Sequence, residues 1–64
     1  MDVKAFQKAV RCGMIDQGVK TLEEVRAMTG LSKPTFYRGW QNPGDFRVKE
    51  LEKICEGLQI RGLL

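Results

Sequence analysis

Histidine is absent from this chain of 64 residues, and cysteine occurs only twice. Without histidine a zinc finger has no ligand set, and the commonest catalytic base is missing. The carboxylates are accounted for by predicted helix ends and polar helix faces. We therefore expect no metal site, no catalytic residues and no cofactor. Cys12 and Cys55 lack CxxC spacing, and we expect partly buried free thiols in a reducing cytosol.

Long apolar runs are also missing, so neither a membrane span nor a secretion signal is predicted, and we expect a cytoplasmic protein. The length fits one small domain over residues 1–64. A domain of this size buries only about 60% of its unfolded surface and is marginal alone. It is therefore expected to depend on a partner chain, on DNA or on regular helix packing.

The net charge is +3, from 11 basic and 8 acidic residues, which alone does not establish nucleic-acid binding. Four acids lie early in two predicted helices: Glu23, Glu24, Glu50 and Glu52. A helix dipole favours negative charge there. Four bases bracket the segment between these helices: Lys33, Arg38, Arg47 and Lys49. Positive charge is thus concentrated around residues 33–49.

A first helix is predicted from Asp2, its cap, to Gln17, and Gly18 can end it. Its apolar residues recur three or four apart, at Val3, Phe6, Val10 and Met14. It should close the core behind the segment that follows.

The segment over about residues 21–41 predicts two short helices joined by a tight turn. Thr21 and Glu24 have the spacing of a capping box, so a helix should begin at Leu22. Gly30 should end this helix, because glycine adopts the left-handed backbone without a steric penalty.

The second helix of this pair should be capped by Ser32, which would accept from an N–H near Thr35. Pro34 lies in its first turn, where a missing N–H breaks no internal bond. Phe36 and Trp40, four residues apart, should face inward and pack on Val25 and Leu31.

With both rings inside, the opposite face of the second helix is polar. Its outward residues are Pro34, Arg38 and Gln41, flanked by Thr35 and Tyr37. A helix that is apolar behind and basic, hydroxylic and aromatic in front suits the major groove of DNA.

The turn formers of residues 42–45 should end the second helix by about Gln41. A last helix is predicted from about Phe46 to Gly57, with an apolar face of Val48, Leu51, Ile54, Cys55 and Leu58. Arg47, beside free backbone N–H groups, is well placed to bind a phosphate.

The order Glu-Glu-Val-x-x-x-x-Gly-Leu-Ser-x-x-Thr-Phe-Tyr-Arg, from Glu23 to Arg38, resembles the helix-turn-helix of the Cro and phage-repressor family. The last helix resembles the closing helix of that family, and the likeness covers about residues 20–64. It implies an all-α bundle of four or five helices with a central helix-turn-helix, the lambda-repressor-like fold. The segment from Ser32 to Arg38 is equally similar to tetracycline-repressor motifs, but those proteins carry a large C-terminal ligand domain. The 24 residues after Trp40 fit the Cro-like architecture better.

The resemblance implies a sequence-specific regulator that binds double-stranded DNA in the cytoplasm of a bacterial host cell, at the nucleoid. We expect it to repress transcription by occupying a pseudo-palindromic operator as a weak homodimer that forms on DNA, without a small-molecule ligand. The predicted base-contacting residues are Lys33, Thr35, Tyr37 and Arg38. Those predicted to contact the DNA backbone are Ser32, Gln41, Asn42 and Arg47. By resemblance, Lys33, Thr35 and Arg38 match positions that read base edges.

The chain departs from the family at Arg26, where a small residue usually allows the two motif helices to approach closely. Either the aliphatic stem of Arg26 lies over the junction with its charge outside, or the register shifts by one. The terminal Leu63 and Leu64 should be buried against the body or a second subunit, or else form a frayed tail. The competing function is a small protein-interaction module, or an anti-repressor, that does not bind DNA.

Overall fold

Residues 2–61 are described by the computed structural model of this chain. They form four α-helices: α1 over Val3–Gln17, α2 over Leu22–Thr29, α3 over Lys33–Gln41 and α4 over Val48–Leu58. A short 3-10 turn, Pro43–Asp45, joins α3 to α4. No strand occurs within residues 2–61. The predicted all-α class is confirmed, with α2 and α3 as the helix-turn-helix.

The helix ends follow from local hydrogen bonding. Asp2 caps α1 by accepting from the N–H of Ala5 at 3.2 Å. At α2, Thr21 Oγ1 accepts from the N–H of Glu24 at 3.3 Å, and the Glu24 carboxylate accepts from the N–H of Thr21 at 3.2 Å. Gly30 ends α2 with φ of 74°. The predicted boundaries of both helices are confirmed because each depends on neighbouring residues alone.

The predicted cap of α3 is wrong in its detail. Ser32 does occupy the cap position, but its side chain makes no bond to the backbone of α3. Its hydroxyl donates instead to Thr35 Oγ1 at 2.9 Å. Pro34 stands in the first turn, as predicted, and its fixed φ suits the start of a helix.

The core lies between the four helices and contains four aromatic rings. The Phe6 ring centroid is 5.7 Å from that of Trp40 and 5.9 Å from that of Phe46. The Phe36 and Phe46 centroids are also 5.9 Å apart. Edge-to-face and tilted pairs at such distances add to the stability given by burial. Phe36 and Trp40 are buried as predicted, in one cluster with Val25, against which Leu31 packs.

Two predictions about the last helix are wrong. The helix begins at Val48 rather than Phe46, because residues 43–45 form a 3-10 turn and Phe46 has extended backbone. This geometry sends the Phe46 ring into the core, and Val48, expected on the buried face, is 63% exposed. Leu51, Ile54 and Leu58 are buried on that face as expected.

The two cysteines are free thiols, as predicted. Cys55 is half-buried, but Cys12 is exposed, so the prediction of partial burial is wrong for Cys12. None of the helices over residues 2–61 is long and apolar enough to cross a membrane. Leu63 and Leu64 lie outside the described residues.

Candidate nucleic-acid interface

Helix α3 presents a polar face directly opposite its buried rings. While Phe36 and Trp40 are fixed in the core, the residues that face away from it are solvent-exposed: Pro34, Thr35, Arg38 and Gln41. Lys33 is also exposed, in the first turn of α3 on the side of α2. A nine-residue helix is about 13 Å long and fits within one major groove. Helix α3 therefore offers an ammonium, a hydroxyl, a guanidinium and an amide to a ligand in front of it.

The turn after α3 places further polar groups beside this face. Asn42 is exposed, and its side-chain amide donates to Asp45 at 3.4 Å, within the turn. The Phe46 ring packs against Gly39 in the middle of α3. Arg47 is exposed and follows directly after the residue that packs on α3.

The prediction of free backbone N–H groups near Arg47 holds for Val48 and Lys49, whose N–H groups have no acceptor within residues 2–61, but not for Arg47 itself. The N–H of Arg47 donates to the Glu50 carboxylate at 2.8 Å, and the N–H groups of Glu50 and Leu51 donate to the Arg47 carbonyl. The Glu50 carboxylate thus accepts the hydrogen bond of the Arg47 N–H, which is not free to bind a phosphate. The predicted phosphate contact of Arg47 rests on its side chain.

A network centred on Glu23 joins α2 to α3. Glu23 Oε2 accepts from Arg26 Nε at 2.7 Å, and Glu23 Oε1 accepts from the Tyr37 hydroxyl at 3.3 Å. Lys33 Nζ lies 3.9 Å from the same Oε1. Arg26 Nη1 also donates to the Leu31 carbonyl at 2.8 Å, in the turn between the helices. One carboxylate therefore links the predicted readers Lys33 and Tyr37 to the preceding helix.

This network shows how the motif accommodates Arg26. The Arg26 side chain is 27% exposed and lies over the junction of α2 and α3, with its guanidinium bonded to Glu23 and Leu31. Gly30 keeps its left-handed backbone at the end of α2, so the register is not shifted. The explanation that the aliphatic stem of Arg26 lies over the helix junction is confirmed, although the guanidinium is bonded rather than free in solvent.

Residues 11–61 match the model of one protein family, the Cro/C1-type helix-turn-helix DNA-binding domain. The chain belongs to the Cro/C1-type family. No curated protein and no solved structure shows significant similarity to it. The match spans α2, α3 and α4 together with the C-terminal part of α1. The chain is accordingly a DNA-binding regulator of a typically non-enzymatic family, and its partner is double-stranded DNA.

In this Cro/C1-type domain the predicted site residues are not equally free. Ser32, Lys33, Thr35, Arg38, Gln41, Asn42 and Arg47 are exposed. Tyr37 is half-buried, with its ring perpendicular to that of Phe36 at 5.1 Å and its hydroxyl bonded to Glu23. Tyr37 is thus at the edge of the polar face, and its predicted base contact has to be made by the hydroxyl.

Electrostatics keep the Glu23 network in one protonation state near neutral pH. The hydrogen bond from Arg26 is the main cause that lowers the pKa of Glu23, helped by the positive charges of Arg26 and Lys33. Burial, followed by the neighbouring Glu23 charge, raises the pKa of Tyr37. Glu23 is therefore a carboxylate and Tyr37 a neutral phenol at neutral pH.

Sequence reasoning missed the part played by Glu23 at this interface. It explained Glu23 by the helix dipole, which is consistent with its position in the first turn of α2. The separation of three residues between Glu23 and Arg26 could have indicated their ion pair. The bond from Tyr37, 14 residues away, has no local signal, because it depends on how α3 crosses α2.

Proposed function

We propose that this chain is a transcriptional repressor of phage or plasmid type that acts in the bacterial cytoplasm by occupying a pseudo-palindromic operator. The observation that carries the proposal is the exposed polar face of α3, held outward by the burial of Phe36 and Trp40. Such a helix can enter the major groove while its apolar side remains in the core. Occupancy of the operator blocks polymerase and needs no ligand or cofactor.

The operator is proposed to bind two chains. A helix about 13 Å long covers about four base pairs at roughly 3.4 Å per pair, which is too little sequence to specify one site in a genome. A twofold pair doubles the sequence read and places the two α3 helices one DNA turn apart. Sedimentation of the complex should show two chains per operator. One chain on an asymmetric site would contradict the dimer.

Within each half-site, Arg38 is assigned to base reading and Arg47 to the DNA backbone. Arg38 is exposed on the face of α3 opposite Phe36, where its guanidinium can donate two bonds to guanine O6 and N7. Arg47 lies after the turn, and a phosphate there offers the same charge whatever the sequence. Lys33 and Thr35 are further proposed base contacts, and Ser32, Gln41 and Asn42 are proposed to contact the backbone.

Titrations on operator and scrambled duplexes at several salt concentrations test this assignment. The operator is first obtained by selecting bound sites from a random duplex pool. Arg38→Ala should cost about 1 to 3 kcal/mol on the operator and much less on scrambled DNA. Arg47→Ala should weaken both duplexes alike and lower the slope of log affinity against log salt by about one.

Arg61→Ala is the matched control, since Arg61 is an exposed arginine beyond the opposite end of α4 from Arg47. It should change both affinities little. Equal loss on both duplexes for Arg38→Ala would remove Arg38 from the base-reading set. No affinity of the unaltered chain for any duplex at low salt would contradict the proposed function and favour a protein-interaction module.

A further inference from the structure

The Tyr37 hydroxyl can only accept a hydrogen bond from a ligand, because its proton is already used within the protein. Its partner Glu23 is a carboxylate, which accepts hydrogen bonds and has no proton to donate. The proton in the bond of 3.3 Å must therefore belong to Tyr37. With its proton directed at Glu23, the phenolic oxygen can only accept a further hydrogen bond.

The surroundings of Tyr37 hold this arrangement in place. The ring packs edge-on against the buried Phe36, with centroids 5.1 Å apart and planes at 90°. Glu23 is in turn fixed by Arg26, which also bonds the Leu31 carbonyl in the turn. Rotation of the phenolic proton toward a ligand would leave a carboxylate oxygen that is 3.9 Å from Lys33 without its hydroxyl donor. The acceptor state of Tyr37 is therefore the favoured one before DNA arrives.

The other hydroxyls near α3 are less restricted. The bond of 2.9 Å between Ser32 and Thr35 joins two neutral hydroxyls, so its direction can reverse. Thr35 can then donate or accept. Among the hydroxyl-bearing residues of α3, Tyr37 alone is bonded to a charged acceptor within residues 2–61.

We propose that Glu23 is a positioning residue that makes Tyr37 an obligatory acceptor, so that Tyr37 recognises an exocyclic amino group in the major groove. This inference rests on the proposed function. Only two bases present such a donor in that groove, adenine through N6 and cytosine through N4. Guanine and thymine present acceptors at the corresponding edge, and two facing acceptors would repel. Glu23 itself need not touch DNA.

The test uses the full chain and the operator selected from a random duplex pool. Each adenine in the operator is replaced in turn by purine, and each cytosine by 2-pyrimidinone, which removes one amino group at a time. At one base pair per half-site this removal should lower the affinity of the unaltered chain about three- to tenfold, the worth of one neutral hydrogen bond. With Tyr37→Phe the same removal should have no effect.

Glu23→Gln separates positioning from simple support of the fold. The glutamine amide can donate to the Tyr37 oxygen and release its proton, so the preference for an amino group should shrink to less than twofold. Loss of fold alone would weaken all duplexes and leave that preference intact. Glu56→Gln, the same change in charge on α4, should keep the full preference. Circular dichroism confirms that each variant is folded.

Three outcomes would overturn the inference. The first is an amino-group preference that survives Tyr37→Phe, which would assign it to another residue. The second is a preference that is unchanged in Glu23→Gln. The third is an operator that the chain binds tightly but for which no removal of an amino group lowers the affinity. This third outcome would leave the proposed function intact. A chain that binds no duplex would overturn the proposed function together with the inference.

Discussion

Substitution of Gly39 by alanine tests how α3 is seated on the core. A Cβ built at Gly39 would lie 2.5 Å from Phe46 Cε1 and Cζ and 2.7 Å from Cδ1. These are ring atoms of a buried side chain, whose centroid is 5.9 Å from those of both Phe6 and Phe36. The Phe46 ring cannot retreat without displacing another ring, so α3 itself has to move.

Two opposing effects set the size of the change. Overpacking a core by one methyl group costs about 1 to 3 kcal/mol. Alanine in place of glycine within a helix stabilises the folded state by about 0.5 to 1 kcal/mol. Gly39→Ala should therefore destabilise the protein by up to about 2.5 kcal/mol. Operator affinity should fall as well, because the displaced helix carries Arg38 and Thr35.

A double-mutant cycle with Phe46→Leu isolates the contact. Leucine lacks the Cε1 and Cζ atoms that would lie nearest the new methyl group, and its Cδ methyl groups can rotate away from the third contact. Gly39→Ala should therefore cost less in that background, although Phe46→Leu alone should cost roughly 1 to 2 kcal/mol. Urea denaturation followed by circular dichroism gives the four free energies of unfolding.

Gly57→Ala in α4 is the matched control. Its Cβ would meet Met28 Sδ at 2.6 Å, and that side chain is flexible enough to move aside. This variant should be unchanged, or about 0.5 to 1 kcal/mol more stable. If the free-energy costs of Gly39→Ala and Phe46→Leu simply add in the double mutant, the contact between the new methyl group and the Phe46 ring is not the cause of the destabilisation.

Three other predictions concern stability. Trp40→Ala should lower the free energy of unfolding by roughly 3 to 5 kcal/mol, since the ring is 5% exposed. A chain of this length has a free energy of unfolding of about 3 to 10 kcal/mol, so the variant should be largely unfolded. A circular dichroism spectrum that is still helical at 25 °C would contradict this. Arg26→Ala should cost about 1 to 2 kcal/mol in urea denaturation, through the bond to Leu31, whereas Arg47→Ala should cost nearly nothing. The folded pKa of Glu23 is lowered from 4.5, so its stabilising effect is present above about pH 4.5 and is lost as pH falls through the lower folded value. The stability gap between the unaltered chain and Glu23→Gln should therefore narrow on acidification, and a constant gap in urea titrations from pH 7 to pH 3 would refute the assignment.

The helix boundaries were predictable because their causes are local. The Thr21 and Glu24 capping box, the glycines after α1 and α2, and Pro34 each act within one turn of chain. Apolar spacing likewise predicted the burial of Phe36 and Trp40, and with it the outward direction of Arg38. The orientation of the polar face follows from these local signals, because a helix with two rings fixed inside has one direction left.

The errors occur where tertiary packing overrides local pattern. Phe46 and Val48 are two residues apart, and a helical pattern that begins at Phe46 includes both. The observed chain instead stays extended at Phe46 after the 3-10 turn. The pocket that receives this ring is completed by Gly39, from another helix, together with Phe6 and Phe36. No sequence window contains all of these groups, so periodicity could not predict the exposure of Val48.

The same reasoning explains why the character of Tyr37 could not be read from the sequence. A tyrosine hydroxyl can donate or accept, and the neighbours of Tyr37 along the chain do not decide between the two. Glu23 makes the hydroxyl a donor within the protein, because the crossing of α2 and α3 brings Glu23 Oε1 within 3.3 Å of the Tyr37 hydroxyl oxygen. Arg26 stabilises that crossing, because its guanidinium also donates to the Leu31 carbonyl in the turn between the two helices. Arg26 therefore fixes the carboxylate that we propose sets the base preference.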